Sequence, residues 1–171
     1  MPSTAELFKN NLNPTFVETG SFLGQGINNA LEAGFSNVIS IEISKTYYNI
    51  CMGKFRDNNK VLILLGDSSE ILKKSIKNIN TPITFWLDGH WSGADTGRGT
   101  SISPIIEELN QLMDIDKNCI IIIDDIEQLD ELEITKDILE KKLKEINNNY
   151  IFEYSIGPKN VTRLIAKQEK L

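Results

Sequence analysis

The fold is decided by one stretch of the chain, FVETGSFLGQG at residues 16–26. Its apolar residues lead into an acid, Glu18, and a turn that contains three glycines follows before a helical pattern begins. This order is typical of a β-strand that feeds a loop whose glycine backbone can lie flat against a ligand. About two dozen residues further on, a second apolar run ends in Glu42, where a ribose-binding acid would lie. Together the two segments predict a site for a nucleoside-bearing cofactor.

Length and composition limit the classes of protein to consider. The chain has 171 residues, which predicts a single domain over residues 1–171 with a substantial core. Its net charge is −6 and it has no stripe of Lys and Arg, so nucleic acid is not expected as a partner. No run approaches the roughly 20 apolar residues of a membrane span, so no membrane partner is expected either.

The two cysteines and the first residues bear on the compartment. Cys51 and Cys119 lack the spacing of metal ligands, and they predict buried free thiols in a reducing environment. The start, Met1-Pro2-Ser3, has no apolar signal region. Both observations favour a cytoplasmic protein.

Strand and helix patterns alternate along the chain. Apolar, strand-like runs are predicted at residues 15–18, 37–42, 61–65, 83–88 and 119–123. Helices are predicted at residues 4–11, 24–33, 69–78, 104–113 and 131–147, and from Ser44 onward. A loop at residues 89–103 and a closing hairpin of strands 150–156 and 161–166 complete the pattern. The prediction is an α/β fold: a Rossmann-like, doubly wound sheet that is mostly parallel, with a C-terminal antiparallel hairpin strand.

An acid stands at the end of every predicted parallel strand. These acids are Glu18, Glu42, Asp67, Asp88 and the pair Asp124-Asp125. Because ligands of such sheets bind outside the carboxyl ends of the strands, the acids are expected to line one site. The alternative for any one of them is a helix N-cap, where Asp is common. Acids at five strand ends behind a glycine loop favour the ligand site.

The glycine loop does not fit two common phosphate-binding motifs. No Lys followed by Ser or Thr comes after its last glycine, and glycines at 20, 24 and 26 are out of register with the dinucleotide fingerprint. With Glu42 and Asp67 in place, the arrangement resembles class I S-adenosylmethionine (SAM)-dependent methyltransferases. The resemblance implies that the loop holds the methionine part of SAM, that Glu42 binds the ribose and that Asp67 contacts the adenine. The implied cofactor-binding residues are Glu18, Thr19, Gly20, Ser21, Gly24, Glu42, Asp67, Ser68 and Asp88.

A narrower resemblance lies downstream. The segments FWLDGHWSG at 85–93, PIIEEL at 104–109 and IIDD at 122–125 look like small bacterial and viral methyltransferases. They are also similar to the metal-dependent sugar O-methyltransferases of the macrocin type. This resemblance implies a cofactor beside SAM, Mg²⁺ or Mn²⁺, and three carboxylates without a thiolate suit such a hard cation. The implied metal ligands are Asp88, Asp124 and Asp125.

The same resemblance implies catalytic roles for Asp88 and His90. His90 stands where the macrocin-type enzymes have an aspartate base, and it is the only histidine of the chain. A lone histidine is often structural, and an Asp-Asp pair such as Asp124-Asp125 is common in turns, so both readings stay open.

These features predict a SAM-dependent, metal-assisted O-methyltransferase that acts on a sugar hydroxyl of a glycan or glycoside. Since the chain has no inserted cap, acceptor recognition is expected from the loop 89–103, the N-terminal helix or a partner subunit of a homo-oligomer. The alternatives are a natural-product or other small-molecule acceptor, and a non-catalytic module that only binds the cofactor. An N-methyltransferase or an aminopropyl transferase on the same fold is a further alternative, and metal dependence would separate the N-methyltransferase from the prediction.

Overall fold

A computed structural model describes residues 4–89, 103–115, 118–130, 132–157 and 161–169. Within these ranges one sheet has the strand order β3-β2-β1-β4-β5-β7-β6. Its strands are β1 (Thr15–Thr19), β2 (Asn37–Glu42), β3 (Val61–Leu65), β4 (Ile83–Leu87), β5 (Ile120–Ile123), β6 (Tyr150–Ile156) and β7 (Thr162–Gln168). The helices are α1 (Thr4–Asn10), α2 (Gln25–Ala33), α3 (Lys45–Phe55), α4 (Ser68–Ile76), α5 (Ile105–Gln111), α6 (Ile126–Asp130) and α7 (Lys136–Ile146).

The sheet is covered on both faces, and the four isoleucines of β5 show why. Ile121 and Ile123 pack into one apolar cluster with α4, α5 and α7, whereas Ile122 packs into a second cluster with α1 and α2. Side chains alternate between the faces of a strand, so an uninterrupted apolar run requires cover on both sides. The predicted doubly wound α/β fold is confirmed.

The register of the parallel strands brings their carboxyl ends to one edge of the sheet. The end of β1, Thr19, is paired with Ile41 of β2 and with Leu87 of β4. Further out, Glu42 is paired with Leu65 of β3, and Leu87 with Ile123 of β5. The residues that follow these strands therefore emerge side by side.

The C-terminal hairpin has the predicted form. Strand β7 is antiparallel to both of its neighbours, β5 and β6. Because β7 alone runs in the opposite direction, the sheet is mostly parallel with one antiparallel strand, as predicted.

One helix prediction is wrong. A helix is predicted over residues 131–147, but α7 begins only at Lys136, and the short helix α6 before it was not predicted. Glu133 adopts a left-handed backbone conformation with φ +60°, which a continuous helix does not allow. Thr135 then caps α7, since its side chain accepts from the backbone N–H of Ile138. Other predicted element ends differ by one or two residues, and Pro104 lies at the N-cap of α5.

Two expectations about composition can be compared with the structure. Cys51 and Cys119 are both free and buried, as predicted. Among the helices in the described ranges, none is both long and apolar enough to cross a lipid bilayer.

Candidate functional site

The acids predicted at the strand ends lie along one edge of the sheet. We call this edge the acidic rim: it comprises Glu18, Glu42, Asp67, Asp88, Asp124 and Asp125, at the carboxyl ends of β1 to β5. Of the other predicted residues, Thr19 is the last residue of β1, and Gly20, Ser21 and Gly24 lie between β1 and α2 at the same edge. His90 lies outside the described residues, so its predicted role is not tested.

The loop between β1 and α2 needs glycine where its backbone meets its neighbours. Gly20 has φ +84°, and a Cβ atom built on it would lie 2.6 Å from the backbone oxygen of Asp88. A Cβ on Gly26 would collide with the Glu18 carboxylate. The loop therefore lies directly on the ends of β1 and β4, as expected of a loop that presents its backbone to a ligand.

Glu18 is buried beneath this loop and is held by Ser40. The hydroxyl of Ser40 donates to Oε1 of Glu18 at 2.6 Å and also contacts the hydroxyl of Ser21. Burial raises the pKa of Glu18 to about 8, although the Ser40 hydrogen bond lowers it and the charge of Glu42 raises it further. Two predicted residues, Glu18 and Ser21, are thus joined through a third that the sequence analysis missed. The sequence feature that could have indicated Ser40 is its position as a polar residue among the apolar residues of the strand NVISIE.

Glu42 ties the glycine loop to the start of α3. The backbone N–H of Phe22 donates to its Oε2 at 2.8 Å, and the backbone N–H of Ser44 donates to its Oε1 at 2.7 Å. The Glu42 side chain is 4% exposed. A carboxylate oxygen can accept more than one hydrogen bond, so the hydroxyl groups of a ribose could still be bound here.

Asp67 is the N-cap of α4, which is the alternative that the sequence left open. Its Oδ1 accepts from the backbone N–H of Ser69 at 2.9 Å and from the Ser69 hydroxyl at 2.6 Å. Ser68 is buried beside it, and the Ser68 carbonyl accepts from the side chain of Gln111 on α5 at 2.8 Å. The cap fixes the position of Asp67 on the acidic rim, and contact with an adenine stays a prediction.

Asp88 follows β4 at the centre of the acidic rim. Its backbone N–H donates to the hydroxyl of Thr19 at 3.2 Å. Burial raises the pKa of Asp88 well above its ordinary value, and the negative charges of Asp124, Asp125 and Glu18 raise it further. The carboxylates are therefore close enough to repel one another.

Asp124 is paired with a buried arginine of β7. Nε of Arg163 donates to Oδ1 of Asp124 at 3.0 Å, and the Arg163 side chain is 5% exposed. Burial raises the pKa of Asp124 while the charge of Arg163 lowers it. Arg163 was not among the predicted site residues. The sequence feature that could have indicated it is an arginine directly before the apolar residues of the strand TRLIAKQ.

Two of the predicted metal ligands, Asp124 and Asp125, already accept hydrogen bonds from side chains that would compete with an ion. In the described ranges, no three His, Cys, Asp or Glu side chains are grouped so that they could hold an ion. One oxygen of Asp124 accepts from Arg163, and Oδ2 of Asp125 accepts from Gln128 at 3.2 Å. Binding of Mg²⁺ or Mn²⁺ by Asp88, Asp124 and Asp125 stays a prediction.

Glu108 of α5 is a second residue that the sequence analysis missed. It is 1% exposed, and its Oε1 has no hydrogen-bond partner within the described part of the chain. A Cβ on Gly89 would lie 3.0 Å from that oxygen. Burial raises the pKa of Glu108 to about 7, although hydrogen bonds with Ser68 and Thr19 lower it. Glu108 therefore lies below the acidic rim, where the ends of β1 and β4 meet the start of α4.

Comparisons with known proteins identify the fold. No protein-family model and no curated protein sequence matches this chain. A candidate rRNA methylase from Clostridium thermocellum has a similar structure, with 14% identity, a TM-score of 0.65 and 99% of each chain covered. The O-methyltransferase TomG from Streptomyces achromogenes, involved in tomaymycin synthesis and solved in complex with SAM, is 11% identical with a TM-score of 0.64. That similarity covers 97% of this chain and 78% of TomG.

A third solved structure shows how widely the fold is used. Spermidine synthase from Thermotoga maritima is 11% identical with a TM-score of 0.61, over 98% of this chain and 58% of that protein. At such identities the similarity establishes the fold alone. The chain has the Rossmann-like fold of SAM-dependent methyltransferases.

Proposed function

We propose that this protein transfers the methyl group of SAM to a hydroxyl oxygen of a small acceptor, with a sugar hydroxyl as the acceptor class. The observation that carries the proposal is the acidic rim together with the glycine loop that lies against it. A positively charged sulfonium and a neutral nucleoside need carboxylate acceptors, and the loop has no lysine to bind a phosphate. In TomG, the same fold holds SAM.

Each part of SAM has a complementary region along the acidic rim. Glu42 lies where the ribose hydroxyls would donate to its carboxylate, and Asp67 with Ser68 lies where the adenine would bind. The backbone from Thr19 to Gly24, supported by buried Glu18, would hold the methionine part. Glu18 and Glu42 are both buried and hydrogen-bonded, so they fix the backbone of the loop against which the cofactor would lie.

The reaction places the acceptor next to Asp88. An acceptor oxygen attacks the methyl carbon, the bond from that carbon to sulfur breaks, and the sulfonium becomes a neutral thioether. The hydroxyl proton must leave as the new bond forms, and a base at Asp88 or at His90 would take it. Burial and the negative charges of its neighbours raise the pKa of Asp88, so its ionised carboxylate would bind a proton more strongly than that of an ordinary aspartate.

A divalent cation is the alternative way to assist the hydroxyl. When bound, it would lower the pKa of the acceptor oxygen and direct it towards the methyl group. Because Asp124 is already paired with Arg163, the proposed reaction relies on the protein side chains for proton removal.

The charge of the chain favours a small acceptor over RNA. A nucleic-acid acceptor would have to approach a protein with a net charge of −6. An aminopropyl transferase would bind a cationic amine at the same place, and the carboxylates of the acidic rim would also attract that amine. The two reactions differ in product mass, so the assay separates them.

Two measurements test the proposal. Calorimetry should detect binding of SAM and of its demethylated product, and Glu42→Gln should weaken both while the exposed control Glu32→Gln does not. Mass spectrometry of candidate sugars incubated with protein and SAM should show a gain of about 14 Da, the mass difference of a methyl for a hydrogen. Folded protein that binds neither ligand would refute the proposal. Binding without methylation of any sugar, phenol or amine would support the cofactor-binding module instead.

A further inference from the structure

We infer that Arg163 supplies the positive charge at the acceptor end of the acidic rim, in the place where the sequence predicts a divalent cation. In this arrangement Arg163 is a positioning residue for Asp124, and the rim needs no metal ion. The inference rests on the proposed function for its catalytic meaning, but the pairing itself can be tested separately.

The Arg163 side chain is held from several sides. Its Nε donates to Asp124, and its Nη2 donates to the hydroxyl of Thr4 in α1 at 2.9 Å. Its guanidinium carbon lies 5.2 Å from the centre of the Trp86 ring, which suits a cation–π contact. A Cβ on Gly157 would lie 2.5 Å from the same carbon, so the chain leaves space for the guanidinium at that position. These contacts fix the guanidinium beside Asp124.

The charges favour one cation here. The buried guanidinium of Arg163 lies 3.0 Å from Oδ1 of Asp124, so a positive charge is already present at the carboxyl end of β5. An arginine does not lose its proton in proteins, so the charge of Arg163 is permanent. A divalent ion bound to Asp124 would lie next to this buried charge and would be repelled by it.

The hydrogen bond between Arg163 and Asp124 is a second reason why a metal ion is not expected at this carboxylate. Oδ1 of Asp124 accepts from Nε of Arg163, so at most the other oxygen, Oδ2, is available to an ion. At 3.0 Å, the distance from Nε of Arg163 to Oδ1 of Asp124 is that of a well-formed N–H···O hydrogen bond. Arg163 thus orients the side chain of Asp124 through a hydrogen bond from a charged group, without an ion.

Binding of Mn²⁺, followed by electron paramagnetic resonance of the free ion, tests this inference without an acceptor. We expect the full chain to show no binding of Mn²⁺ at the acidic rim up to about 1 mM. Arg163→Gln should bind Mn²⁺ with a dissociation constant of about 100 µM or lower, at least tenfold below that limit. Adding Asp124→Asn to Arg163→Gln should abolish that gain. The control is Arg56→Gln, since Arg56 pairs with Asp57 at an exposed position.

The opposite result overturns the inference. If the unmodified chain binds Mn²⁺ with a dissociation constant below about 1 mM and Asp124→Asn removes this binding, the ion and not Arg163 neutralises the rim. This comparison does not use an Arg163 variant, so it decides the question even if Arg163→Gln does not fold. Arg163→Lys keeps the charge and should remain without Mn²⁺ binding.

The outcome is independent of the proposed function. Loss of SAM binding by the folded chain would refute the proposed function and leave the Mn²⁺ result unaffected. Conversely, SAM binding that is unchanged by EDTA, together with tight Mn²⁺ binding at Asp124, would keep the proposed function and refute the inference.

Discussion

The backbone N–H of Phe22 donates to the carboxylate of Glu42 at 2.8 Å and so connects the glycine loop to the end of β2. The same carboxylate accepts from Ser44 at the start of α3. One buried side chain therefore sets the relative position of the two segments that would hold the ribose and the methionine part of SAM. Changes at Glu42 should affect cofactor binding and stability together.

Glu42→Gln is the first prediction. The amide places an N–H₂ group against a backbone N–H donor, so one of the two hydrogen bonds is lost. We expect a loss of about 1–3 kcal/mol in the free energy of unfolding, and SAM affinity lower by about 10- to 100-fold. Chemical denaturation and calorimetry measure the two effects. Equal SAM affinity in Glu42→Gln and in the exposed control Glu32→Gln would contradict the role of Glu42.

Glu18 makes the stability depend on pH. Its pKa is raised from 4.5 to about 8, so between these values the folded protein holds a proton that the unfolded chain has released. The contribution of Glu18 to stability is complete below pH 4.5 and is lost as the pH rises towards 8. Within this window the free energy of unfolding should fall by up to about 1.4 kcal/mol per pH unit.

Glu18→Gln should flatten this decline, because glutamine does not titrate. Denaturant unfolding at a series of pH values measures the slope, and Glu32→Gln serves as the control because its side chain is exposed. A slope in Glu18→Gln as steep as in the unmodified chain would show that the buried carboxyl is not responsible.

Glu108 should produce a similar effect over a narrower range. Its pKa is raised from 4.5 to about 7, so its stabilising proton is lost as the pH approaches 7. Glu108→Gln should remove part of the decline below pH 7 and leave the slope between pH 7 and 8 unchanged. The same unfolding series measures both variants. Coincident profiles for Glu108→Gln and the unmodified chain would contradict the assignment.

The strands could be predicted from the sequence, because a strand that is buried on both faces is an uninterrupted run of apolar residues. The isoleucines of β5 indicated a covered strand, and the acids after the strands indicated a common edge, since parallel strands end on one side. The helix predicted from residue 131 begins only at Lys136, because Glu133 has a left-handed backbone conformation, and α6 was not predicted. No composition signal marks that position, and propensity alone favours a continuous helix.

The contacts that complete the acidic rim could not be predicted, since they join residues far apart in the sequence. Arg163 is 39 residues from Asp124 and 159 from Thr4, and only the position of β7 beside β5 brings them together. Ser40 and Glu108 are polar residues within a strand and a helix. Ser40 matters because its hydroxyl donates to Glu18, and Glu108 matters because its Oε1 lies against the backbone at Gly89. Neither contact can be read from the sequence.

Gly20→Ala tests the contact between the glycine loop and β4. Gly20 has φ +84°, and an added Cβ would lie 2.6 Å from the Asp88 oxygen, so both the backbone and the packing resist the change. We expect a loss of at least about 1–2 kcal/mol in the free energy of unfolding from the backbone alone. SAM affinity should also fall, because the loop must move away from Asp88.

Gly53→Ala is the matched control for this prediction. Gly53 lies within α3, and a Cβ added there meets nothing within 4 Å, so alanine should stabilise the helix by about 0.5–1 kcal/mol. SAM affinity should be unchanged in this variant. Thermal unfolding and calorimetry of both variants give the comparison. If Gly20→Ala were as stable as Gly53→Ala and bound SAM equally well, the loop would not lie against Asp88, and the placement of the cofactor over these two strands would be wrong.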